Sequence, residues 1–293
     1  MVREPWRVSL HGGHSGEFCE HATGRLSEIL EAAVAAGYHT FGVSEHAPRS
    51  ESRFLYGSEK EKRFTVARLQ RDFEAYAGAV QELSEQFAER LVVLRGFEAE
   101  VVPAQSYREK MLGHHQRFEF DYMVGSVHYV DEISIDSEQA EFERAAKACH
   151  GLEALAVRYY ETVAGMVTAL KPDVVGHFDL IRKNAGPEFS SGTPEIRHAA
   201  INALEAVREH GCILDLNTAG YRKGLGSPYP APWLVERANQ MGIPFCLGDD
   251  SHSPGQVGAG IDEARQYLLN NGVGAVTVMT RIEGEIARQV VPL

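Results

Sequence analysis

Residues 40–46 read "TFGVSEH", a mostly apolar run that ends in a carboxylate and an imidazole. A short run of this kind, containing β-branched and aromatic residues, predicts a buried β-strand. Before it, apolar residues between positions 26 and 34 recur every three or four residues and stop at Gly37. That spacing predicts an amphipathic helix, so the segment predicts a helix followed by a strand with polar groups at its end.

The same unit recurs along the chain, with further helical patterns over about 69–87 and 196–207. Seven strands are predicted, at residues 8–11 (VSLH), 40–46 (TFGVSEH), 91–98 (LVVLRGFE), 121–128 (DYMVGSVH), 173–179 (DVVGHFD), 212–217 (CILDLN) and 244–250 (PFCLGDD). Strands separated by helices predict parallel pairing in an α/β fold. An open doubly wound sheet and a closed barrel both satisfy the pattern. No Gly-x-Gly-x-x-Gly follows the first strand, which disfavours a dinucleotide-binding sheet.

Composition limits the classes of function. The 293 residues contain no Pro/Ser-rich linker or fixed-period repeat, which favours one domain over residues 1–293. A formal net charge of −12 without a Lys/Arg-rich run argues against nucleic acid or an anionic membrane as a partner, but not against a small anionic substrate. No apolar stretch is long enough for a signal peptide or a membrane span. The four cysteines form no Cys-x-x-Cys pair, so we expect reduced thiols in a cytoplasmic protein.

Polar residues concentrate where the predicted strands end. Six of the seven strands end in, or run directly into, a histidine or a carboxylate: His11, Glu45 and His46, Glu98 and Glu100, His128, His177 and Asp179, and Asp249, Asp250 and His252. The first loop adds His14 and His21. Because the C-terminal ends of parallel strands lie on one rim, these side chains are expected to converge there. The other six histidines (39, 114, 115, 150, 198 and 210) lie in helical or loop patterns and are expected on the surface or in packing contacts.

The converging residues predict an open catalytic metal site, because neutral imidazole and carboxylate are ligands of zinc, iron and manganese. Nine candidate ligands are predicted: His11, His14, His21, His46, Glu98, His128, His177, Asp250 and His252. They are too many for one tetrahedral ion and suit two or three ions with a bridging carboxylate. Cys19 lies within the cluster, but a thiolate among histidines would favour one closed zinc site, so it is not counted among the ligands.

In this order the residues resemble the PHP family, named for polymerase and histidinol phosphatase. The motifs are "LHGGHSGEFCEHA", "GVSEHAPR", "GFEAEV", "GSVHYVD", "VGHFDLIRK", "LDLNTAGYRK" and "GDDSH", of which the last four resemble the branch that contains histidinol-phosphate phosphatases. The resemblance implies a distorted seven-stranded (β/α)7 barrel with a trinuclear metal site at the C-terminal ends of its strands.

The ligand sets implied by the resemblance share one carboxylate. His11, His14, Glu98 and Asp250 would hold one metal, Glu98 would bridge to a second held by His128 and His177, and His21, His46 and His252 would hold the third. The family usually begins His-x-His, whereas this chain has His-Gly-Gly-His. Two glycines permit a turn that could restore the convergence of the two rings.

The expected reaction is hydrolysis of a small phosphomonoester, with L-histidinol phosphate and histidine biosynthesis implied by the resemblance. Glu98, Asp250 and His252 are the predicted catalytic residues, and a metal-bridging hydroxide is the expected nucleophile. Four cations are predicted to bind the substrate phosphate: Arg182, Arg222, Lys183 and Arg49, with Lys223 as a further candidate.

Several points stay open in the sequence. Asp179 and Asp249 are both candidates for the acid that protonates the leaving group. The segments 47–63 and 101–120 are expected to be long loops that cover a small organic group. The alternatives are a phosphatase for another small ester, a PHP phosphodiesterase or exonuclease, and a non-enzymatic accessory domain. The acidic charge counts against the nuclease, and the nearly complete ligand set counts against the accessory domain.

Overall fold

Seven parallel strands form the centre of the computed structural model, which describes residues 4–186, 189 and 191–293. The strands of the described residues are β1 (Val8–Ser9), β2 (Thr40–His46), β3 (Val92–Ala99), β4 (Tyr122–Gly125), β5 (Tyr129–Val130), β6 (Ile133–Ser134), β7 (Val174–Val175), β8 (Ile213–Asn217), β9 (Phe245–Gly248), β10 (Ala275–Ile282) and β11 (Glu285–Pro292). The central sheet has the order β1-β2-β3-β4-β7-β8-β9, so each predicted strand contributes one of its members.

Helices connect most of the central strands. In the described residues they are α1 (Leu26–Ala35), α2 (Gly57–Glu61), α3 (Val66–Phe87), α4 (Tyr107–Phe118), α5 (Gln139–Ala148), α6 (Leu152–Leu170), α7 (Pro194–Glu209), α8 (Ala219–Arg222), α9 (Pro232–Gln240) and α10 (Ile261–Asn270). The three helical patterns read from the sequence correspond to α1, α3 and α7. Thr65 and Thr193 cap the last two by accepting a backbone N–H in the first turn. The expected loop at 101–120 is wrong, because most of it is α4.

The sheet closes on itself, which decides between the open sheet and the barrel. Beyond the end of β1, the Leu10 N–H donates to the Leu247 carbonyl of β9 at 2.9 Å. One step further, the Asp250 N–H donates to the His11 carbonyl at 2.8 Å. The predicted distorted (β/α)7 barrel is therefore confirmed, with β1 and β9 meeting through few backbone contacts.

The barrel interior is filled by aromatic and aliphatic side chains. Tyr122 of β4 is fully buried and crosses in front of β2 and β3. A Cβ atom at Gly42 or Gly96 would overlap the Tyr122 ring, so these strands need glycine where they face it. The buried apolar residues form one cluster that runs from Trp6 to Met279. Division of the chain into a single domain over 1–293 stays a prediction.

A C-terminal hairpin, β10–β11, covers the end of the barrel opposite the predicted site. The Thr280 hydroxyl lies 2.9 Å from the Thr40 hydroxyl, and Arg288 donates to the Asp173 carboxylate at 2.8 Å. Arg281 pairs with Asp121 at 2.5 Å. Their partners begin or directly precede β2, β7 and β4, so the hairpin lies at the N-terminal ends of the strands. It was not among the predicted strands.

Two further expectations concern the chain as a whole. None of the helices in the described part of the chain combines the length and apolar character needed to cross a membrane. Cys19, Cys149, Cys212 and Cys246 are all free thiols, as the sequence predicts.

Candidate metal centre

The C-terminal ends of the central strands bring the predicted polar residues together. His46 is the last residue of β2 and lies beside Glu98 in the register of β3. His128, His177 and Asp250 follow β4, β7 and β9 within three residues. Because all seven strands are parallel, these side chains share one rim.

The His-Gly-Gly-His turn delivers both of its histidines to this rim. Gly12 and Gly13 have φ values of 150° and 80°, conformations that favour glycine. The rings of His11 and His14 are both fully buried, with centroids 6.3 Å apart. The spacing that departs from His-x-His therefore still places both rings in the cluster.

Glu98 lies at the centre of the cluster. Its Oε1 atom is 3.1 Å from His177 Nε2, 3.3 Å from His11 Nε2 and 3.5 Å from His128 Nε2. Its Oε2 atom is 2.7 Å from His46 Nδ1. A carboxylate with imidazoles on both oxygens has the placement that a bridging ligand needs.

The remaining imidazoles form a stack beside Glu98. The ring of His14 lies between His46, at 4.3 Å, and His252, at 4.2 Å, and His21 stacks on His252 at 4.9 Å. Several groups of ligand atoms in the cluster lie within 4.8 Å of one another, among them His11, His14 and Glu98; His11, His177 and Asp250; and Cys19, His21, His46 and His252.

Several ring nitrogens in the cluster lack a hydrogen-bond partner, which indicates whether these residues suit a cation. Nε2 of His11, His14 and His46 and Nδ1 of His177 are buried and make no hydrogen bond within the described residues. A buried polar atom without a partner is costly, and several in one place call for a missing group. Imidazole nitrogens and carboxylate oxygens are donors to divalent ions, so the cluster fits divalent metal binding.

Carboxylates outside the predicted ligand set fix several of the rings. Asp215 Oδ2 is 2.7 Å from His11 Nδ1, and Glu100 Oε2 is 2.8 Å from His128 Nδ1. Glu45 Oε1 is 3.2 Å from His14 Nδ1. Such contacts set the tautomer and turn the opposite nitrogen toward an ion. Asp215 was missed from the sequence, although a charged residue in the buried strand "CILDLN" was the available signal.

The electrostatics of the cluster differ from one side to the other. Burial alone would lower the pKa of His128, but the carboxylates of Glu100 and Glu98 outweigh it and raise the pKa to about 10. Burial and the neighbouring His46 and His14 rings lower the pKa of His21 to about 3. The carboxylates therefore hold positive charge around Glu98, where an ion would replace protons, while the side of the stack at His21 keeps a neutral imidazole.

A cavity of about 510 Å³ opens above the cluster and is lined by three cations of the described residues: Lys183, Arg222 and Lys223. Arg222 donates to the carbonyls of Asp249 and Asp250 at 2.6 and 2.9 Å, which holds its guanidinium beside the proposed ligands. Lys183 Nζ is 3.5 Å from the Asp136 carboxylate. Among the described residues, Lys223 has no ion-pair partner, and burial and the nearby Lys183 lower its pKa.

Two of the predicted phosphate-binding cations are not on the cavity lining. Arg182 donates to Asp179 at 3.0 Å and to the Ser227 hydroxyl at 2.8 Å. Arg49 is ion-paired with Glu59 and lies 4.3 Å from the centre of the Tyr56 ring. Both guanidinium groups are thus engaged by protein groups in this structure, and their phosphate-binding role stays a prediction.

The two candidate leaving-group acids are also held away from the cavity. Asp249 Oδ2 accepts from the Tyr38 hydroxyl at 3.2 Å and from the Gly258 N–H at 2.8 Å. Asp179 Oδ2 accepts from Arg182 and, at 2.9 Å, from the Ala231 N–H. Both carboxyl groups are fully buried and serve loop structure in this arrangement.

The cavity wall beside Lys183 is acidic. Asp136, Ser137 and Glu138 follow β6 and line the cavity together with Tyr56 and Ser58. These residues were not predicted as site residues. The acidic segment "DEISIDSE" (131–138), directly after the His128 motif, was the available signal.

Comparisons with known proteins agree on one family. The PHP domain family matches residues 10–219. Two relatives assigned as histidinol-phosphatases, from Deinococcus radiodurans and Schizosaccharomyces pombe, are 35% and 30% identical. The first match covers 90% of this chain and 94% of the relative, and the second covers 94% and 90%.

Solved structures agree with the fold. A protein from Listeria monocytogenes assigned as a histidinol phosphatase has a TM-score of 0.77 and 25% identity, covering 87% of this chain and 99% of that one. Histidinol phosphate phosphatase from Lactococcus lactis, solved with zinc, L-histidinol and phosphate, has a TM-score of 0.71 and 18% identity, covering 96% and 99%.

Proposed function

This chain belongs to the PHP domain family, and from that premise we propose that it is a metal-dependent phosphatase that hydrolyses L-histidinol phosphate to L-histidinol and phosphate. Two relatives, of whose length 90% and 94% is matched, are assigned as histidinol-phosphatases. The product, L-histidinol, would serve histidine biosynthesis.

We assign two or three divalent ions, zinc, iron or manganese, to the nine predicted ligands. His11, His14, Glu98 and Asp250 would hold one ion, and Glu98 would be shared with an ion held by His128 and His177. His21, His46 and His252 would hold the third. Divalent ions at such a site neutralise phosphate charge and lower the pKa of bound water.

The chain's own cations would bind the substrate phosphate. A phosphomonoester is a dianion with three terminal oxygens, and Arg222, Lys183 and Lys223 all line the cavity next to the ligand cluster. Guanidinium presents paired N–H groups to two oxygens, while ammonium acts as a compact charge. Lys223, without an ion-pair partner among the described residues, is free to turn toward the phosphate.

The acidic wall would select the organic group. Histidinol carries an ammonium group and an imidazole, both suited to carboxylate partners. Asp136 and Glu138 line the cavity, and the Oδ1 atom of Asp136 has no hydrogen-bond partner within the described residues. A cavity of about 510 Å³ has a size that suits a small ester.

The single observation that carries the proposal is the position of Glu98, with four imidazole nitrogens within 3.5 Å, beneath a cavity lined by three cations. That combination supports a site for several ions next to a surface that could bind phosphate.

Phosphate release from four substrates tests the proposal: L-histidinol phosphate, p-nitrophenyl phosphate, bis-p-nitrophenyl phosphate and single-stranded DNA. Metal-loaded protein is expected to hydrolyse the two monoesters, with L-histidinol phosphate preferred. Faster cleavage of the diester or of DNA would overturn the phosphatase assignment. Activity on p-nitrophenyl phosphate with none on L-histidinol phosphate would overturn only the substrate.

A further inference from the structure

One side chain of the cluster has no role in the ligand sets above. The Cys19 Sγ atom lies 3.5 Å from both ring nitrogens of His21, and the residue is only 6% exposed. The ligand atoms of Cys19, His21, His46 and His252 all lie within 4.8 Å of one another. Three of these four residues are the proposed ligands of the third ion.

The surroundings of Cys19 differ from those of a packing thiol. The thiols of Cys212 and Cys246, each 1% exposed, lie in the main hydrophobic cluster, whereas Cys19, 6% exposed, lies outside it. Its neighbours in a small cavity of about 20 Å³ include His21, Glu45, His46 and Arg49. Cys19 therefore lies between polar groups of the cluster and the apolar side chains of Phe18, Leu69 and Phe73.

An unsatisfied nitrogen independently indicates a missing cation on this side of the cluster. His46 Nε2 is buried without a hydrogen-bond partner in the described residues. His46 is one of the proposed ligands of the third ion, so an ion beside the thiol would give this nitrogen a partner, which the thiol alone does not.

The backbone turn around Cys19 brings its thiol and the His21 imidazole into the cluster together. The Cys19 N–H donates to the Ser15 carbonyl at 2.8 Å, and the Ala22 N–H donates to the Cys19 carbonyl at 3.3 Å. This compact turn carries Cys19 and His21 into the cluster together. A tetrahedral zinc ion bonded at about 2.3 Å to sulfur and about 2.0 Å to nitrogen keeps those atoms about 3.5 Å apart, which is the spacing present here.

We propose that Cys19 is the fourth protein ligand of the ion held by His21, His46 and His252, forming a closed one-sulfur, three-nitrogen site that selects zinc. The proposal rests on the metal assignment of the proposed function. On binding, the thiol proton leaves to solvent and a sulfur–zinc bond forms, with no change in oxidation state. A soft thiolate favours zinc over manganese or magnesium, which prefer oxygen ligands.

Wild-type protein gives the direct test, through zinc X-ray absorption and through the spectrum of the cobalt-substituted form. We expect one sulfur scatterer per chain at about 2.3 Å from zinc, and a sulfur-to-cobalt charge-transfer band in the near ultraviolet. A zinc shell of nitrogen and oxygen alone, or a cobalt form without the band, would overturn the proposal.

Two variants separate Cys19 from other thiols. Cys19→Ser should lose the sulfur shell and the band and retain one fewer ion after dialysis against a chelator. Cys149→Ser, which changes a thiol at the end of α5, should keep all three properties. A band that survives in Cys19→Ser would refute the assignment, and the wild-type spectra decide the question even if that variant does not fold. Wild-type protein with two or three ions, phosphatase activity and no sulfur ligand would sink this inference alone, whereas metal-free wild-type protein would sink the proposed function as well.

Discussion

Glu98 has four imidazole nitrogens within 3.5 Å, so its replacement should affect more than one ion. We predict that Glu98→Gln, which keeps the shape and removes the charge, loses at least two ions per chain and nearly all phosphatase activity. Glu100→Gln is the comparison variant: Glu100 contacts only the His128 ring of the cluster in the described hydrogen bonds, so its replacement should affect at most the ion held by His128. Elemental analysis that finds full metal occupancy in Glu98→Gln would contradict the bridging role.

His14 tests whether the two-glycine turn delivers a ligand. We predict that His14→Ala loses one ion per chain and loses phosphatase activity together with it. His114→Ala is the control, since His114 packs on Phe73 at 5.1 Å, outside the cluster. Unchanged metal content and rate in His14→Ala would mean that the buried ring serves packing between His46 and His252.

Arg182 and Arg222 follow consecutive central strands but are predicted to behave differently. Arg182→Met breaks a buried ion pair with Asp179 and should lower the free energy of unfolding by about 3 kcal/mol. Arg222→Met should weaken inhibition by inorganic phosphate at least tenfold, because its guanidinium lines the cavity. Urea unfolding and phosphate inhibition should be measured on both variants. A stability loss in Arg222→Met together with weakened phosphate inhibition in Arg182→Met would contradict this assignment.

The Asp136 carboxylate is predicted to bind the positively charged group of the substrate. Asp136→Asn should raise KM for L-histidinol phosphate at least tenfold and leave KM for p-nitrophenyl phosphate, which has no cation, within about twofold of wild type. Asp131→Asn, in the same segment but paired with Arg158 at the surface, is the control. Equal changes for both substrates would show that Asp136 acts on the phosphate end or on folding.

At the scale of elements, the site forms where strands stop. The predicted strands at 8–11 and 173–179 are longer than β1 and β7, because the chain leaves the sheet early to turn His11 and His177 inward. His177 and Asp250 have positive φ values of 22° and 47°, which side chains other than glycine seldom adopt. The apolar pattern predicts where a strand lies, but it does not show where ligand geometry will end the pairing. The tertiary contacts of the rim supply that information.

The hairpin β10–β11 is predicted to stabilise the barrel without affecting catalysis. Asp121 accepts from Arg95 at 3.0 Å and from Arg281 at 2.5 Å, at the N-terminal end of β4. Asp121→Asn should lower the free energy of unfolding by about 1–3 kcal/mol, because it leaves two partly buried cations with a weaker partner. Urea unfolding should report that loss while kcat/KM stays within about twofold of wild type. A large loss of activity in a stable variant would contradict the placement of the hairpin.

At the scale of the whole molecule, the sequence predicts a seven-stranded α/β fold with polar groups on one rim, because strand burial and strand-end chemistry are local patterns. It does not decide between an open sheet and a barrel, since that depends on the contact of Leu10 with Leu247 across the whole chain. The same limit explains why Asp215 and Asp136 escape prediction while His128 and His177 do not. Their roles depend on which side chains face them after folding.

The net charge of −12 can be related to substrate binding only once the fold shows where the charged groups lie. The acidic groups of the rim surround imidazoles, and the three cations of the cavity lie above them, so a small dianion would meet positive charge in an acidic protein. The proposed reaction therefore depends on ions being present at the rim.

Metal content and phosphate release from L-histidinol phosphate, measured on one preparation before and after chelation, test that dependence most directly. We predict two or three ions per chain, loss of phosphate release when the ions are removed, and its return when zinc or manganese is added back. At most one ion per chain, or phosphate release that persists in the chelated protein, would contradict the account.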